Sequence, residues 1–329
     1  MKRQGNLYSK ICHIENLILA EKKARRGKKN TYGVTQHDKN RGCNLITLQN
    51  QLMSLEFTTS PYTTFIIKEP KEREIFRLPF YPDRICHHAI MNVLEKIWVG
   101  SFTKDTYGCV KERGIHGALR ALKKDLKNKN ETKYCLKIDI KKFYPSVNHS
   151  ILKTIIRKKI KDEELLHVLD NIINSAPGIP IGNYLSQYFG NVYLNVFDHY
   201  IKENKKIKYY YRYVDDIVIL HNSKEHLHEL LKDIENFLSE NLDLIVKKNH
   251  QVFPVESRGI DFVGYKFYHT HVLLRKEIKK SFARAVKKNN PRSLASYYGW
   301  AVHCNSNNLL KKLFLQNGSN SKPISTANS

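Results

Sequence analysis

Tyr209-Tyr210-Tyr211-Arg212-Tyr213-Val214-Asp215-Asp216-Ile217-Val218-Ile219-Leu220 sets two strand-forming runs on either side of a very short acidic break. Such a pattern reads as a hairpin with its carboxylates at the turn. Adjacent aspartates at a tight turn repel each other, so the arrangement is cheap only if a cation neutralises them or both face water. Two readings follow, a divalent-metal site and a solvated Asp-Asp turn, and this stretch alone does not choose between them.

Upstream, Tyr134-Cys135-Leu136-Lys137-Ile138-Asp139-Ile140 alternates, with Tyr134, Leu136, Ile138 and Ile140 apolar. The period predicts a half-buried strand with Asp139 on its non-core face near the end. Asn148 is a good N-cap for a helical stripe over 151–160, and 184–201 reads as a long amphipathic helix. Between them, Ala176-Pro177-Gly178-Ile179-Pro180-Ile181-Gly182 must be a shaped loop. After the hairpin come a helix over 224–240 and strand-like runs over 242–246 and 259–267. The order of elements is that of an α+β fold, a small antiparallel sheet backed by helices. If the Asp139 strand neighbours the hairpin, three carboxylates meet. Three carboxylates can hold two divalent cations roughly 3.5–4 Å apart, the arrangement used in phosphoryl transfer. Oxygen-only ligands favour Mg2+, with Mn2+ as a substitute.

The first 60 residues read as mostly helical, with a polar loop over 32–43. Runs over 63–67 and 74–78 suit a hairpin across the charged link Lys68-Glu69-Pro70-Lys71-Glu72-Arg73. Helices are expected over 83–97 and 114–126, the segment 102–113 is irregular, and the chain turns helical again from Leu273. Residues 317–329 are low in hydrophobicity and are expected to be disordered.

Charge points to the partner. The 329 residues hold 56 Lys plus Arg against 31 Asp plus Glu, a formal net charge of +25. An excess of this kind suits a polyanion whose phosphates are neutralised on binding. The six cysteines are scattered with no Cys-x-x-Cys pair, which argues against a disulfide framework or structural zinc. No apolar run is long enough to span a bilayer, so no membrane partner is expected. The start, Met1-Lys2-Arg3-Gln4-Gly5, leads into no long apolar run, so no secretory signal is expected and the expected compartment is the cytoplasm.

Four segments in order then resemble the reverse transcriptases. They are Lys137-Ile138-Asp139-Ile140-Lys141-Lys142-Phe143-Tyr144-Pro145-Ser146, the loop Gly178-Ile179-Pro180-Ile181-Gly182-Asn183-Tyr184-Leu185-Ser186-Gln187, Tyr213-Val214-Asp215-Asp216, and Gly259-Ile260-Asp261-Phe262-Val263-Gly264-Tyr265. The resemblance implies a right-hand polymerase. It would comprise a basic helical extension over 1–60, fingers over 61–133 with part of 150–180, a palm over 134–272 and a helical thumb over 273–316. It implies metal ligation at Asp139, Ile140, Asp215 and Asp216, with Asp216 the less direct ligand. Tyr144 matches the steric gate that rejects a ribose 2′-hydroxyl. It joins Phe143, Ile181, Gly182 and Gln187 in the implied dNTP site. Lys68 and Arg73 resemble triphosphate contacts from the fingers, with Arg77, Arg84, Lys111 and Arg113 as competitors. Lys248 is similar to the lysine that protonates leaving pyrophosphate, although adjacent Lys247 leaves that register open. Phe262, Val263 and Gly264 match the primer grip.

The loop narrows the resemblance. Where many reverse transcriptases carry Gln-Gly, this chain has Ile181-Gly182-x-x-x-Ser186-Gln187, which is similar to the enzymes of diversity-generating retroelements, as is Asp83-Arg84-x-x-x-His88-Ala89. That family copies a template-repeat RNA into cDNA with errors at adenines, often primes from its own RNA, and works with a small basic, oligomeric accessory protein. The expected partners are therefore template RNA, a DNA primer, dNTPs and that accessory protein. A branched aliphatic at 181 removes an amide near the templating pair, a contributor to low fidelity. Retron and group II intron reverse transcriptases share the palm. Against them stand the lack of a Val-Thr-Gly element and of residues for a maturase region after the thumb. A non-catalytic RNA-binding scaffold is the rival from another class, and the intact carboxylates argue against it.

Overall fold

A computed structural model describes residues 3–68 and 72–315, so the tail expected to be disordered lies outside the described residues. Four helices open the chain: α1 (Tyr8–Cys12), α2 (Ile14–Ala24), α3 (Tyr32–Lys39) and α4 (Arg41–Met53). The segment expected to be a loop over 32–43 is therefore largely helical. Val34 and His37 are buried, and the His37 ring meets Phe80 and Tyr81 at 5.4 and 5.6 Å. Packing of this short helix overrides its polar composition. Strands β1 (Thr63–Ile67) and β2 (Arg73–Arg77) form the expected hairpin, with every residue of β1 exposed. Helices α5 (Ile85–Val99) and α6 (Gly114–Asp125) follow.

Strand β3 (Tyr134–Asp139) leads into a short turn of helix, α7 (Phe143–Ser146), and then α8 (His149–Arg157). Asn148 does cap α8, its side chain accepting from the N–H groups of Ser150 and Ile151. Helix α9 (Glu163–Asn174), which the sequence reading passed over, starts on an Asp162 cap and buries Leu165, Leu169 and Ile172. Then come α10 (Tyr184–His199), β4 (Tyr209–Tyr213), β5 (Asp216–His221), α11 (Lys224–Leu242) and β6 (Gln251–Pro254). The chain ends in α12 (Val255–Arg258), β7 (Ile260–Phe262), β8 (Tyr265–Phe267), β9 (Val272–Leu274) and helices α13 (Lys276–Lys287), α14 (Pro291–Ala301) and α15 (Asn307–Leu315). No helix among the described residues is long and apolar enough to cross a membrane.

The central sheet runs β4-β5-β3-β6, antiparallel throughout, and its register sets Asp139 opposite Asp216. Both of its faces are covered. Leu136, Ile138, Tyr210, Ile217 and Ile219 belong to the core shared with the helices, whereas Cys135, Tyr209, Tyr211, Val218 and Leu220 join a second core with the three-stranded sheet β7-β8-β9. The face of β3 expected to meet water is thus partly roofed, and only Lys137 and Asp139 on it keep access to solvent.

Two boundaries differ from expectation. Residues 242–246 form no strand, because α11 continues to Leu242 and Asp243 ends it with a left-handed backbone (φ 50°). The alternation there is real, with Leu244 and Val246 buried and Ile245 exposed, but it runs past the end of β3, where Val246 makes a single bridge to Ile140. The sheet's fourth strand is β6 instead. Likewise, residues 272–274 pair with β8 before the helices begin at Lys276.

Behind the β4–β5 turn lies a fully buried ion pair. Asp198 of α10 accepts from Arg212 Nε at 2.7 Å and Nη2 at 2.6 Å, from Tyr210 Oη at 2.6 Å and from Thr106 Oγ1 at 2.7 Å. Both partners are at 0% exposure. A buried charge stripped of its partner is strongly destabilising. Asp198→Asn is therefore expected to lower unfolding stability by about 3–5 kcal/mol, while Tyr210→Phe costs only about 1 kcal/mol. Urea midpoints for both variants check this, and equal midpoints would count against the pair as the centre of the network.

Candidate active site

The β4–β5 hairpin closes with Val214 and Asp215 as its two-residue loop, and Val214 adopts a left-handed backbone (φ 59°). A β-branched residue there is strained by roughly 1–3 kcal/mol and persists only when its surroundings over-determine it. Those surroundings are visible. Arg212 Nη1 donates to the Val214 carbonyl at 3.0 Å and to Asn191 Oδ1 at 3.0 Å, and Asn191 Nδ2 donates to the Gly108 carbonyl at 2.7 Å. A Cβ on Gly108 would lie 2.7 Å from Val214 N, so only glycine lets this backbone press against the turn. The loop over 105–108 is itself tied to β4 by Arg212 N to the Asp105 carbonyl (3.0 Å) and Tyr107 N to the Arg212 carbonyl (2.9 Å).

This brace brings Asp139, Asp215 and Asp216 to one end of the sheet. Burial raises the Asp215 carboxyl above its ordinary range, and the neighbouring Asp139 and Asp216 add to the shift. Burial likewise raises Asp216, opposed by Lys137 and reinforced by Asp139. Two lysines partly neutralise the cluster. Lys247 Nζ meets Asp139 Oδ1 at 2.6 Å, and Lys137 Nζ meets Asp216 Oδ1 at 2.7 Å. Of the two adjacent lysines, Lys247 is the one on the carboxylates, while Lys248 is exposed on the following turn. The main chain sets this register, because Lys247 N also donates to the Asp139 carbonyl at 2.9 Å.

The fit to a divalent ion follows from the donors. Among the described residues no three His, Cys, Asp or Glu side chains form a ready cage. The cluster is oxygen-only, carries raised carboxyls and draws in ammonium groups, which suits a hard cation that completes its shell from water and substrate phosphates. Asp139, Asp215 and Asp216 are the carboxylates that could hold such an ion. The Ile140 side chain is buried, so that residue has only its main chain to offer.

The other expected site residues fall into two groups. Phe143 is buried under Gly190, and Tyr144 stands edge-on to it at 5.4 Å. Burial raises the Tyr144 phenol, and both Asp215 and Arg73 are near enough to act on it electrostatically. Arg73, which pairs with Ile67 in the β1–β2 hairpin, and Asp215 thus both lie near Tyr144. Lys68 follows Ile67 and is exposed. Ile179 N donates to the Tyr144 carbonyl at 2.9 Å, and Phe76 N donates to the Ile181 carbonyl at 2.8 Å, so this loop bridges α7 and the hairpin. Gly182 (φ 119°) is required there, since a Cβ would lie 2.6 Å from the Phe76 carbonyl. Gln187 is exposed on the first turn of α10.

Phe262, Val263 and Gly264 form the second group, at the β7–β8 turn, where Val263 (φ 44°) and Gly264 (φ 87°) give the two positive dihedrals of a type I′ loop. Lys137 joins this hairpin to the carboxylates, because its ammonium also bonds the Asp261 carbonyl and lies 5.5 Å from the Phe262 ring centre. Lys137 was legible in principle, two positions before Asp139 on the same strand face. Arg212 and Asp198 carried no such signal.

Solved structures share this architecture. Apo telomerase from Candida tropicalis superposes with a TM-score of 0.51 at 14% identity, over 68% of this chain and 50% of that one. Telomerase from Candida albicans, in complex with a TWJ fragment of telomeric RNA, gives 0.50 at 12% identity, over 80% and 56%. Fold and carboxylate cluster together define a right-hand polymerase, with the antiparallel sheet as its palm. The description "Reverse transcriptase (RNA-dependent DNA polymerase)" matches residues 67–267, more than half of the chain. The chain belongs to the reverse transcriptase family. It is 24% identical over 285 residues to Protein YkfC of Escherichia coli (strain K12), covering 73% of each. It is also 24% identical over 149 residues to the group II intron-encoded protein LtrA of Lactococcus lactis subsp. cremoris, covering 42% of this chain and 24% of LtrA.

The raised carboxyls make a pH prediction. A carboxyl whose folded pKa lies above the unfolded value of about 3.9 contributes stability below that value and loses it as pH rises through the folded pKa. Metal-free protein is therefore destabilised at neutral pH by Asp215 and Asp216. In EDTA at pH 7, Asp215→Asn is expected to melt no lower than the parent, and Mg2+ to raise the parent's Tm more than the variant's. A variant that melts several degrees lower in EDTA, with an unchanged Mg2+ shift, contradicts this.

Proposed function

We propose that the chain is an RNA-directed DNA polymerase that extends a DNA primer on an RNA template by nucleotidyl transfer, working in the cytoplasm. The observation that carries this is the register of Asp139 against Asp216 with Asp215 at the turn, with Arg73 of the β1–β2 hairpin near enough to Tyr144 to act on it electrostatically. Bound at Asp139, Asp215 and Asp216, Mg2+ would lower the pKa of the primer hydroxyl and neutralise charge on the leaving pyrophosphate. The chain's own groups do the rest. The Tyr144 ring closes the space a ribose 2′-hydroxyl needs, and the loop through Ile181 and Gly182 lines the nucleotide site with Gln187, while Phe143, whose side chain is buried, backs that site from within the core. Arg73, with Lys68, offers charge-assisted hydrogen bonds to the triphosphate. Lys247, held on Asp139, is better placed than exposed Lys248 to hand a proton to pyrophosphate. Phe262, Val263 and Gly264 carry the primer strand toward Asp216.

The finer reading is a diversity-generating retroelement enzyme, which copies a template-repeat RNA with errors at adenines alongside a small basic accessory protein. It rests on Ile181-Gly182-x-x-x-Ser186-Gln187. A group II intron-type role is the second reading, favoured by the similarity to LtrA. The RNA that copurifies with the protein distinguishes them, since a template repeat and an intron are different molecules.

Two assays test the proposal. With an RNA template, a DNA primer and Mg2+, the parent is expected to extend the primer and Asp215→Asn to lose at least about 100-fold of that rate, the scale of removing an electrostatic contact to the transition state. Synthesis by the variant at the parent's rate would remove the carboxylate mechanism. In single-nucleotide incorporation opposite each template base, Ile181→Gln is expected to reduce misincorporation at adenine selectively. An unchanged error spectrum would separate residue 181 from fidelity.

A further inference from the structure

Lys137 sits in the middle of β3, and its main chain is held on both sides, opposite Val218 of β5 and Gln251 of β6. Its side chain therefore leaves a fixed backbone, on the face that carries Asp139. Cys135 on this face is buried in the second core, whereas Lys137 stands at that core's open rim with its side chain 25% exposed. There the ammonium has hydrogen-bond partners in two different sheets. One is Asp216 Oδ1 at 2.7 Å, and the other is the main-chain carbonyl of Asp261 in β7. The ring of Phe262, itself fully buried, is centred 5.5 Å from the same nitrogen. Lys247 shows the contrast, since its ammonium and its main-chain N–H both bond the one residue Asp139.

The contacts continue beyond Asp261. Its carboxylate accepts from Arg275 Nε at 2.7 Å, and Arg275 N donates to the Gly264 carbonyl at 3.0 Å. Arg275 immediately precedes α13, so one residue at the foot of that helix holds the β7–β8 hairpin both along its first strand and at its turn. The turn is closed from the same side, because a Cβ on Gly264 would meet the Trp300 ring of α14. Arg275 is also near enough to Asp216 to act on it electrostatically, opposing the effect of burial as Lys137 does. Asp216, Lys137, Asp261 and Arg275 thus alternate in sign from the carboxylate cluster to α13.

We propose that Lys137 is a positioning residue for nucleotidyl transfer: it fixes the β7–β8 turn against Asp216, so that a primer end carried by that turn meets the carboxylates in register, and Arg275 ties the seating of α13 to the same contact. The inference rests on the polymerase reading above and deepens it. A firm tie suits this chemistry, since a misplacement of about 1 Å at the reacting atoms can cost on the order of 100-fold in rate. Stability is a poor reason for the contact, because partly exposed ion pairs add little. Bridging two sheets from one atom suits lysine, whose three N–H donors radiate from a single nitrogen.

Lys137→Met keeps most of the stem and removes the donors, while Arg275→Gln loosens the far end without touching a carboxylate of the cluster. Urea midpoints check that both fold; if Lys137→Met does not, rate and exchange in Arg275→Gln decide alone. In single-turnover extension of a DNA primer on an RNA template, Lys137→Met is expected to be at least about 10-fold slower, with the dNTP dependence unchanged. Arg275→Gln is expected to slow the parent several-fold and to slow Lys137→Met no further, because the two act through one contact. Amide hydrogen exchange across residues 260–267 is expected to quicken in both single variants. Losses that multiply in the double variant would overturn the tie to α13. A slower rate with parental exchange would make Lys137 a charge partner of Asp216 alone and overturn the positioning role, as would a parental rate. Exchange needs no turnover, so a parent that fails to extend primers counts against the polymerase reading, while the tie stands or falls on exchange at 260–267.

Discussion

Arg212 holds its guanidinium between Asp198, Asn191 and the carbonyl of Val214, wholly out of water, and the position of the acidic turn depends on it. A two-residue loop carrying a left-handed valine and then two aspartates is unfavourable on both backbone and electrostatic grounds. Neither cost can be relieved locally, because the carboxylates must remain available. The compensation comes from behind, where a paired buried charge fixes one carbonyl and Gly108 closes on the backbone. A buried ion pair is poor evidence for stability in itself, since apolar residues of equal volume often do as well. Here its value is directional: it holds a geometry that an apolar contact would leave free to relax.

The front of the same turn uses a different device. Lys137 and Lys247 each satisfy one aspartate, yet both side chains keep some solvent access, 25% and 32%. Partly exposed pairs of this kind contribute little net energy and exchange readily. The carboxylates are thus kept from repelling one another without being locked to a fixed partner. Lys137 also reaches the Asp261 carbonyl, and Asp261 in turn pairs with Arg275 just ahead of α13. Movement of the C-terminal helices therefore has a physical route to Asp216.

Much of this was legible in the sequence because it depends on period and order. Alternation in 134–140 and 209–220 announced strands, Asn148 announced a cap, and carboxylates at two strand ends announced a cluster. What escaped was set by contacts distant in sequence. The 32–39 helix is polar and forms because His37 packs on Phe80 and Tyr81 while Val34 enters the main core. The 242–246 run has strand alternation but meets only the last residues of β3. The choice between Lys247 and Lys248 could not be made from identical neighbours. It was decided by one main-chain hydrogen bond to Asp139.

The loop from Gly178 to Gln187 shows how a single segment connects these parts. Its start is bonded to the Tyr144 carbonyl, its middle to Phe76 of the β1–β2 hairpin, and its end becomes the start of α10, where the Asn183 side chain makes no capping hydrogen bond. Residue 182 must be glycine because the hairpin's backbone leaves no room for a Cβ. One end of this segment is bonded to the main chain of Tyr144, and the other borders a cleft lined by Lys28, Arg84 and His88 with no carboxylate. A shift of the hairpin would therefore move Ile181, Tyr144 and the helix start together.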